Sequence, residues 1–375
     1  VHTLSPTLFY ELNFNYFNID WRVDLPSDSD SEKGRTYNGQ FYYDPQSGFI
    51  PKVLGADDMA SGFRMYGGAI TWENSYNRRY TLNAAMTSQF HRAHELKAGF
   101  NINYDMLYED RTQWMNEDPS QEYLRQYEAE PIEIGVYIQD KIEFEGMVAN
   151  LGVRLDYFNN NTSLPDITHT LEFASDREIY ETYLAGDFPM TNVAPQYYIS
   201  PRLGISHPLS ENSKIYFNYG HFIQTPPSYQ MYSNIIDGAA PSMRRIGNPA
   251  LKLEKTIAYE LGMDIGVADG LQLHIGAFYK DYSDIAYVMT YAHTDQSLIV
   301  DYYDNEAYSE VRGIEIELRK TFGRFVTGWL NYNYIKKSES NLTIPGLSEN
   351  PIITDNPNVA RNGVIWGIPQ SDIVN

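Results

Sequence analysis

Apolar and polar residues alternate with a period of two along much of this chain. In Leu8-Phe9-Tyr10-Glu11-Leu12-Asn13-Phe14-Asn15-Tyr16 every even position is apolar or aromatic, while Glu11, Asn13 and Asn15 point the other way. Successive side chains of a β-strand lie on opposite faces, so such a segment presents one apolar and one polar face. Further on, Tyr80, Leu82, Ala84, Met86 and Phe90 alternate with Arg79, Thr81, Asn83, Thr87 and Gln89. After His91-Arg92-Ala93-His94 the pattern resumes, with Leu96, Ala98, Phe100, Ile102, Tyr104 and Met106 opposing Glu95, Lys97, Asn101, Asn103 and Asp105. Two such runs joined by a short turn predict a hairpin.

The same alternation predicts paired strands over 132–144 and 147–157 about Glu145-Gly146, and over 197–207 and 214–219 about Ser210-Glu211-Asn212. It also predicts 256–267 and 271–279 about Ala268-Asp269-Gly270, and 311–318 and 325–334 about Thr321-Phe322-Gly323. About eleven strands of roughly 9 to 13 residues result, the length that crosses a bilayer at a tilt. Long polar segments rich in Tyr, Gly and Pro separate the hairpins, over 20–76, 109–130, 159–196, 221–254, 281–307 and 336–362. Loops of that length are uncommon in compact soluble domains. Bacterial outer-membrane barrels, by contrast, alternate short periplasmic turns with long extracellular loops. Two residues interrupt the pattern. Asp140 falls in the lipid-facing register, which costs roughly 2 kcal/mol or more at the midplane and little at the interface; its nearness to Glu145-Gly146 points to an interfacial position or a bulge. Pro201 cannot donate to a ladder and predicts a bulge or local disruption.

Composition narrows the setting. At 375 residues the chain fits two soluble domains or one large barrel. Aromatic residues make up 14%, with 32 Tyr against 5 Trp, whereas hydrophobic residues reach only 42% and mean hydropathy is −0.46. No run approaches the roughly 18 apolar residues of a transmembrane helix. A bilayer admits only one other spanning solution, the closed barrel. A net charge of −21 and a pI near 4.7 leave no basic stripe to neutralise phosphates, which argues against nucleic acid as a partner. The acidity gathers in turn-rich segments such as Asp28-Ser29-Asp30-Ser31-Glu32, Asp57-Asp58 and Glu117-Asp118. There is no cysteine, hence no thiolate metal site, disulfide or cysteine nucleophile. Residues 1–10 lack the charged and apolar regions of a secretory signal, so an exported protein is expected to begin upstream of this chain.

Several segments resemble TonB-dependent receptors. They are Tyr137-Ile138-Gln139-Asp140-Lys141-Ile142-Glu143-Phe144, Ser200-Pro201-Arg202-Leu203-Gly204, Gly247-Asn248-Pro249-Ala250-Leu251-Lys252-Leu253-Glu254-Lys255-Thr256 with Tyr259-Glu260-Leu261-Gly262, and Arg312-Gly313-Ile314-Glu315-Ile316-Glu317-Leu318. The third is the most specific, because barrels of that family carry a similar segment leading from an extracellular loop into a strand; Leu253 stands where proline is usual. The likeness covers roughly 131–334, with the earlier strands compatible. It implies an all-β transmembrane antiparallel barrel of about 22 strands with a plugged lumen and long extracellular loops. It also implies outer-membrane lipid and lipopolysaccharide as surroundings, TonB, ExbB and ExbD as the energy source, a small solute as ligand, and no cofactor. A surface lipoprotein is a further candidate partner. Residues 1–375 would supply about half such a barrel, with the plug domain, the TonB box and the last strands outside the chain; Ser371 to Asn375 do not resemble an aromatic-terminated final strand.

No catalytic constellation is found. The eight histidines are scattered, no serine sits in a nucleophile elbow, and His91 with His94 reads as solvated turn chemistry rather than a metal site. Acidic runs such as Asp28/Asp30/Glu32 could offer oxygens to Ca²⁺ but lack EF-hand spacing. Arg154, Arg202, Glu260, Asp264, Glu315, Glu317 and Arg319 fall in the lumen-facing register, where they would either pair with a plug or simply line a wet interior. Trp114, Tyr229, Tyr232, Tyr287, Tyr291, Tyr302 and Tyr303 are the candidate ligand surface, since amphipathic rings suit a sugar, an aromatic siderophore or a peptide. The competing reading is an aromatic girdle at strand ends. The expected function is active outer-membrane uptake of a scarce solute. Its rivals are a passive, structural or adhesive barrel, and a soluble β-sandwich lectin.

Overall fold

The structure, a computed structural model, describes residues 2–23, 35–37, 41–44, 48–51, 70–114, 122–165, 182, 187, 189–237, 242–292, 299–323, 325–341 and 373–374. The acidic runs at 28–32, 57–58 and 117–118 lie outside the described residues, as do Ser371, Asp372 and Asn375.

The strands are β1 (His2–Ser5), β2 (Leu8–Val23), β3 (Arg35–Tyr37), β4 (Phe41–Asp44), β5 (Gly48–Pro51), β6 (Ile70–His91) and β7 (His94–Trp114). Next come β8 (Glu122–Ala129), β9 (Ile132–Phe144), β10 (Met147–Asn159), β11 (Ser163–Pro165), β12 (Met190–Asn192), β13 (Gln196–Ser210) and β14 (Ser213–Gln224). A short helix α1 (Ser228–Tyr232) precedes β15 (Asn234–Asp237), β16 (Ser242–Ile246), β17 (Glu254–Ala268), β18 (Leu271–Ala292), β19 (Ile299–Lys320), β20 (Gly328–Asn341) and β21 (Ile373–Val374).

The expected strands are present in the expected order, as β2, β6, β7, β9, β10, β13, β14, β17, β18, β19 and β20, each paired antiparallel to its neighbours in sequence. Among the described residues they form one wall, with β1 added beside β2 and β21 beside β20. Tight turns close the hairpins at one end. Glu145 (φ 46°) and Gly146 (φ 83°) both occupy the left-handed region that a two-residue hairpin turn requires.

One face of the wall is apolar and exposed. Val136, Ile138, Leu151, Val153, Leu155, Ile199, Leu261, Ile314 and Ile316 lie on it, with Val136 at 52% and Ile199 at 69% exposure. A soluble protein would hide so continuous a surface, whereas lipid solvates it. Across that face run two rows of tyrosine rings. Tyr16, Tyr80 and Tyr104 lie ring beside ring over β2, β6 and β7 with centroids 5.0 and 6.3 Å apart, and Tyr219, Tyr259 and Tyr279 over β14, β17 and β18 at 5.1 and 6.2 Å. Their hydroxyls reach toward charge: Tyr104 donates to Glu130 at 2.7 Å and Tyr279 to Glu310 at 3.1 Å. Beyond these rows the same face turns ionic, with Arg78–Asp20 at 3.6 Å and Arg312–Glu310 at 3.9 Å. An aromatic belt followed by charge marks the edge of a bilayer.

The strands outrun the expected lengths. Segments 281–307 and 109–130, expected as loops, are instead mostly ladder: β18 and β19 remain paired out to Ala292 and Ile299, and β7 and β8 to Trp114 and Glu122. Beyond the bilayer no lipid requires one face of a strand to be apolar, so period-2 patterning lapses while backbone pairing continues. The last wall strand begins at Gly328 rather than at 325; Phe325 and Val326 are 87% and 69% exposed ahead of it.

Pro201 causes no bulge on the β10 side, where Val153↔Pro201 sits in unbroken register. The disruption falls on the other side. The β13–β14 ladder begins one residue later, at Arg202↔Gly220, so the missing N–H has no strand waiting for it. Asp140 does face outward, close to the turns, and His94 Nδ1 meets its Oδ2 at 2.8 Å. That partner is why a carboxylate is tolerated in the lipid-facing register, and it also accounts for His94.

Candidate functional site

The segment between β14 and β17, expected as a loop, folds back over the inner face and crosses from one part of the wall to another. β15 adds to the edge of β8, β16 pairs with β15, and β16 lies parallel to β19 through Arg245↔Asp301 and Ile246↔Tyr302. The pairing thus returns on itself, from β7 through β8, β15, β16, β19 and the intervening wall strands to β9 and β7. Beneath the crossing lies the buried cluster of the described residues: Leu107, Ala129, Phe158, Met231, Tyr232, Leu251, Leu253 and Tyr303. Met231 and Leu251 are 0% exposed. The crossing segment is a strap with an apolar floor at the loop end of the wall.

The Gly-Asn-Pro segment clamps this strap. Asn248 donates through Nδ2 to the Tyr303 carbonyl at 2.8 Å, and its Oδ1 accepts the Ala250 N–H at 2.9 Å. The Asn248 N–H reaches the Gln230 carbonyl at 2.9 Å. The Asn160 amide, from just past β10, donates to the Pro249 carbonyl and accepts from the Tyr232 hydroxyl. Gln196 of β13 donates to the Leu251 carbonyl at 2.8 Å, and Asn305 of β19 accepts the Lys252 N–H at 2.8 Å. Four buried or half-buried amides therefore satisfy a backbone that has no ladder of its own, as burial demands. Burial, with Asp105 and Glu133 adding to it, pushes the Tyr232 hydroxyl far above its ordinary range, so it acts as a fixed neutral donor.

Leu253, which replaces the usual proline, has a visible use. Its N–H donates to the Tyr198 hydroxyl at 2.9 Å, a bond no proline could make, and its side chain is 3% exposed. Leu253→Pro and Tyr198→Phe are expected to couple by about 1 kcal/mol in a double-mutant cycle on unfolding. Simple additivity would mean that the N–H is satisfied elsewhere.

Charged and aromatic groups stand on the strap's outer-solvent side. Arg125 Nη1 lies 3.4 Å from Glu109 with its guanidinium 5.6 Å from the Tyr229 ring; Arg245 Nη2 lies 3.2 Å from Asp301 with its guanidinium 5.6 Å from the Tyr303 ring. Burial works against the charge on Arg245, but Tyr303 and Asp301 outweigh it and hold the guanidinium above its ordinary range. On the other side of the floor a polar recess opens toward the rest of the inner face. Arg154 donates to Asp156 and to Asn101, both at 2.6 Å, while Glu133 accepts from Thr225 at 2.8 Å and Asn103 at 3.2 Å. Arg202 stacks on Phe222 at 4.8 Å.

All seven residues expected in the lumen register share this inner face. Arg154 pairs across from Ser200, Arg202 from Gly152, Glu260 from Asn218, and Glu315 from Asn333. Asp264 takes Lys214 at 3.1 Å and His274 at 2.7 Å, and Glu317 takes Arg319 at 2.5 Å. The aromatic candidates divide. Tyr232, Tyr302 and Tyr303 are 8%, 6% and 5% exposed, so they build the floor and its support instead of presenting free rings. Tyr229 and Tyr287 keep 40% and 41% of their surface. Trp114 ends β7 and Tyr291 is the residue before the last of β18, and their side chains lie outside the described residues. The sequence reading missed Arg111, Arg125, Arg245, Asn160 and Asn305, which sit in segments without strand patterning. Among the described residues no group of three potential ligands could hold a metal ion.

The family model described as TonB dependent receptor-like, beta-barrel matches residues 3–370. Among solved structures, the copper transporter OprC superposes with a TM-score of 0.51 at 12% identity, covering 90% of this chain and 45% of that one. The ferric yersiniabactin uptake receptor FyuA from Yersinia pestis gives 0.50 at 11% identity, with 90% and 41% covered. The ferric citrate transporter FecA in its unliganded form gives 0.50 at 13%, with 90% and 41%. At such identities the likeness is one of fold, and the chain spans less than half the length of each of these proteins. A comparison with curated proteins returns no match. Members of the matched family are outer-membrane transporters, not enzymes. With its match running over nearly the whole chain, this protein belongs to the TonB dependent receptor-like β-barrel family, and its wall is a wall of the bacterial outer membrane.

Proposed function

We propose that this chain is the wall and mouth of an active uptake receptor. A scarce solute is captured at the extracellular end, and energy delivered through TonB, ExbB and ExbD moves it inward past a plug domain. The observation that supports this reading most directly is the strap. A passive pore needs an open lumen, whereas here a clamped segment with an apolar floor crosses the inner face at the extracellular end. The inner wall below it offers charges of both signs, Arg154, Arg202, Glu260, Asp264, Glu315, Glu317 and Arg319, as partners for the plug. Tyr229 lends an exposed ring to the capture surface, and Tyr287, Trp114 and Tyr291 are its further candidates on the extended parts of β18 and β7. The fold neighbours carry different cargoes by name, so the shared wall does not set the solute; the loop side chains do.

Two measurements test this. Uptake of a panel of ferric chelates, vitamins, oligosaccharides and peptides is compared in wild-type, receptor-null and TonB-null cells, with one member expected to depend on both genes. The full-length protein in planar bilayers is expected to conduct poorly. Uptake that persists without TonB, or a large open-pore conductance, would return the passive barrel.

A further inference from the structure

Asp140 places a carboxylate on the lipid-facing side of the wall, and its surroundings leave it without a countercharge. In register it stands between Leu96 of β7 and Leu151 of β10, with Ile138 and Ile142 on the same face of β9. Its Oδ2 meets His94 Nδ1 at 2.8 Å. That hydrogen bond satisfies one oxygen, but a neutral imidazole cancels no charge. Oδ1, turned in among the apolar side chains, has no hydrogen-bond partner. Lys141, the next residue, points to the opposite face and takes Glu143 at 2.5 Å. Among the described residues no lysine or arginine nitrogen comes within ion-pair distance of Asp140.

Depth decides what can provide the missing charge. Leu96, directly opposite Asp140, lies eight positions from Tyr104 of the tyrosine row. At about 3.3 Å per residue and a tilt of about 40°, Asp140 sits about 20 Å from that row toward the turns. The apolar band of such a barrel is about 25 Å tall, so the carboxylate lies roughly 5 Å inside its periplasmic edge, within reach of the headgroups there. The adjoining turn is basic and aromatic. Phe90 is 63% exposed and stacks on His94 with centroids 5.5 Å apart, the His91 ring lies 5.8 Å from that of His94, and Arg92 is exposed. His91 Nδ1 accepts the Ala93 N–H at 3.2 Å, which leaves the proton of the neutral ring on Nε2 as a donor.

We propose that this corner seats one ethanolamine phospholipid of the periplasmic leaflet, its primary ammonium on the Asp140 carboxylate and its phosphate against His91 and Arg92. The inference needs only the membrane setting, in which the short turns face the periplasm, and goes beyond the uptake reading. The ammonium brings both things Asp140 lacks, N–H donors and a positive charge, and such charge-assisted bonds are about twice as strong as neutral ones. The terminal torsion of an aspartate is soft, so a small rotation presents Oδ1 to the headgroup. A choline headgroup has the charge but no N–H. A glycerol headgroup has no cation and would set its phosphate's charge beside the carboxylate.

The test mixes the full-length receptor, stripped of lipid in detergent, with equal amounts of dioleoyl phosphatidylethanolamine, phosphatidylcholine and phosphatidylglycerol, and native mass spectrometry counts what is retained. Wild type is expected to keep one ethanolamine lipid in preference to the others. Asp140→Asn should bind it at least about tenfold more weakly, the loss of one charge-assisted contact. Asp20→Asn, which changes an outward carboxylate at the other rim that already has Arg78 at 3.6 Å, should behave as wild type. In vesicles, replacing the ethanolamine lipid by the choline lipid should lower the unfolding midpoint of wild type and leave that of Asp140→Asn unchanged. Equal retention of the three lipids by wild type, preference for either of the other two, unchanged ethanolamine binding in Asp140→Asn, or an equal fall of both midpoints overturns the seat. None of these results touches the uptake reading, since none involves solute or TonB.

Discussion

Gly247→Val is expected to unseat the strap while leaving the wall folded. A Cβ at position 247 would lie 2.9 Å from the Met231 carbonyl oxygen and 2.9 Å from both the nitrogen and the oxygen of Ser233. All three are backbone atoms, so no side chain can swing away to make room. The Asn248 N–H, one residue on, is bonded to the Gln230 carbonyl at 2.9 Å, and this bond cannot survive the shift that valine demands. Overpacking of this kind costs on the order of 3 kcal/mol. At 1.36 kcal/mol per tenfold, local opening should become roughly two orders of magnitude more frequent. Amide hydrogen exchange at Met231, Tyr232 and Leu251 reads the effect, with the amides of β17 to β19 as internal control. Unchanged protection at those three amides would mean that the wall, and not the Gly-Asn-Pro clamp, holds the strap.

The second large effect is expected at Arg79. Its guanidinium grips Asp105 with two parallel bonds, Nε to Oδ1 at 2.6 Å and Nη2 to Oδ2 at 2.7 Å. The Asp105 side chain keeps only 6% of its surface, and Glu133 adds a second negative charge nearby. Arg79→Ala leaves that carboxylate buried and uncompensated, which costs about 3 kcal/mol. The urea midpoint for unfolding should fall accordingly. Adding Asp105→Asn to the alanine variant should restore most of the loss, because a buried amide carries no net charge. An unchanged midpoint in the single variant would show that water reaches Asp105 and screens it.

The wall was legible because a bilayer imposes a simple rule on every strand that crosses it. Lipid on one side and a wet interior on the other force alternation, and the runs about Tyr80, Phe100, Leu151 and Ile314 carry it with few lapses, such as Ser88, Val148 and Arg312. The face assignment of Arg154, Arg202, Glu260, Asp264, Glu315, Glu317 and Arg319 follows from the same parity. Where the rule lapses, legibility ends. Residues 281–292 and 122–129 remain in ladders beyond the membrane, but no lipid there demands an apolar outer face, so their side chains keep no simple period. His94 meets Asp140 across two strands that are consecutive in space but 46 positions apart in sequence.

The strap is the sharper case. Tyr229, Tyr232 and Tyr303 look alike in sequence, each a tyrosine in a polar loop. Burial separates them only after β15 and β16 have bridged β8 to β19. By itself, then, the sequence determined an antiparallel outer-membrane wall and which residues share each of its faces, because solvent contrast acts residue by residue. Only the tertiary structure decided that a loop returns across the inner face and what chemistry it gathers there, because those contacts join residues as far apart as Asn160 and Pro249, which no local period connects.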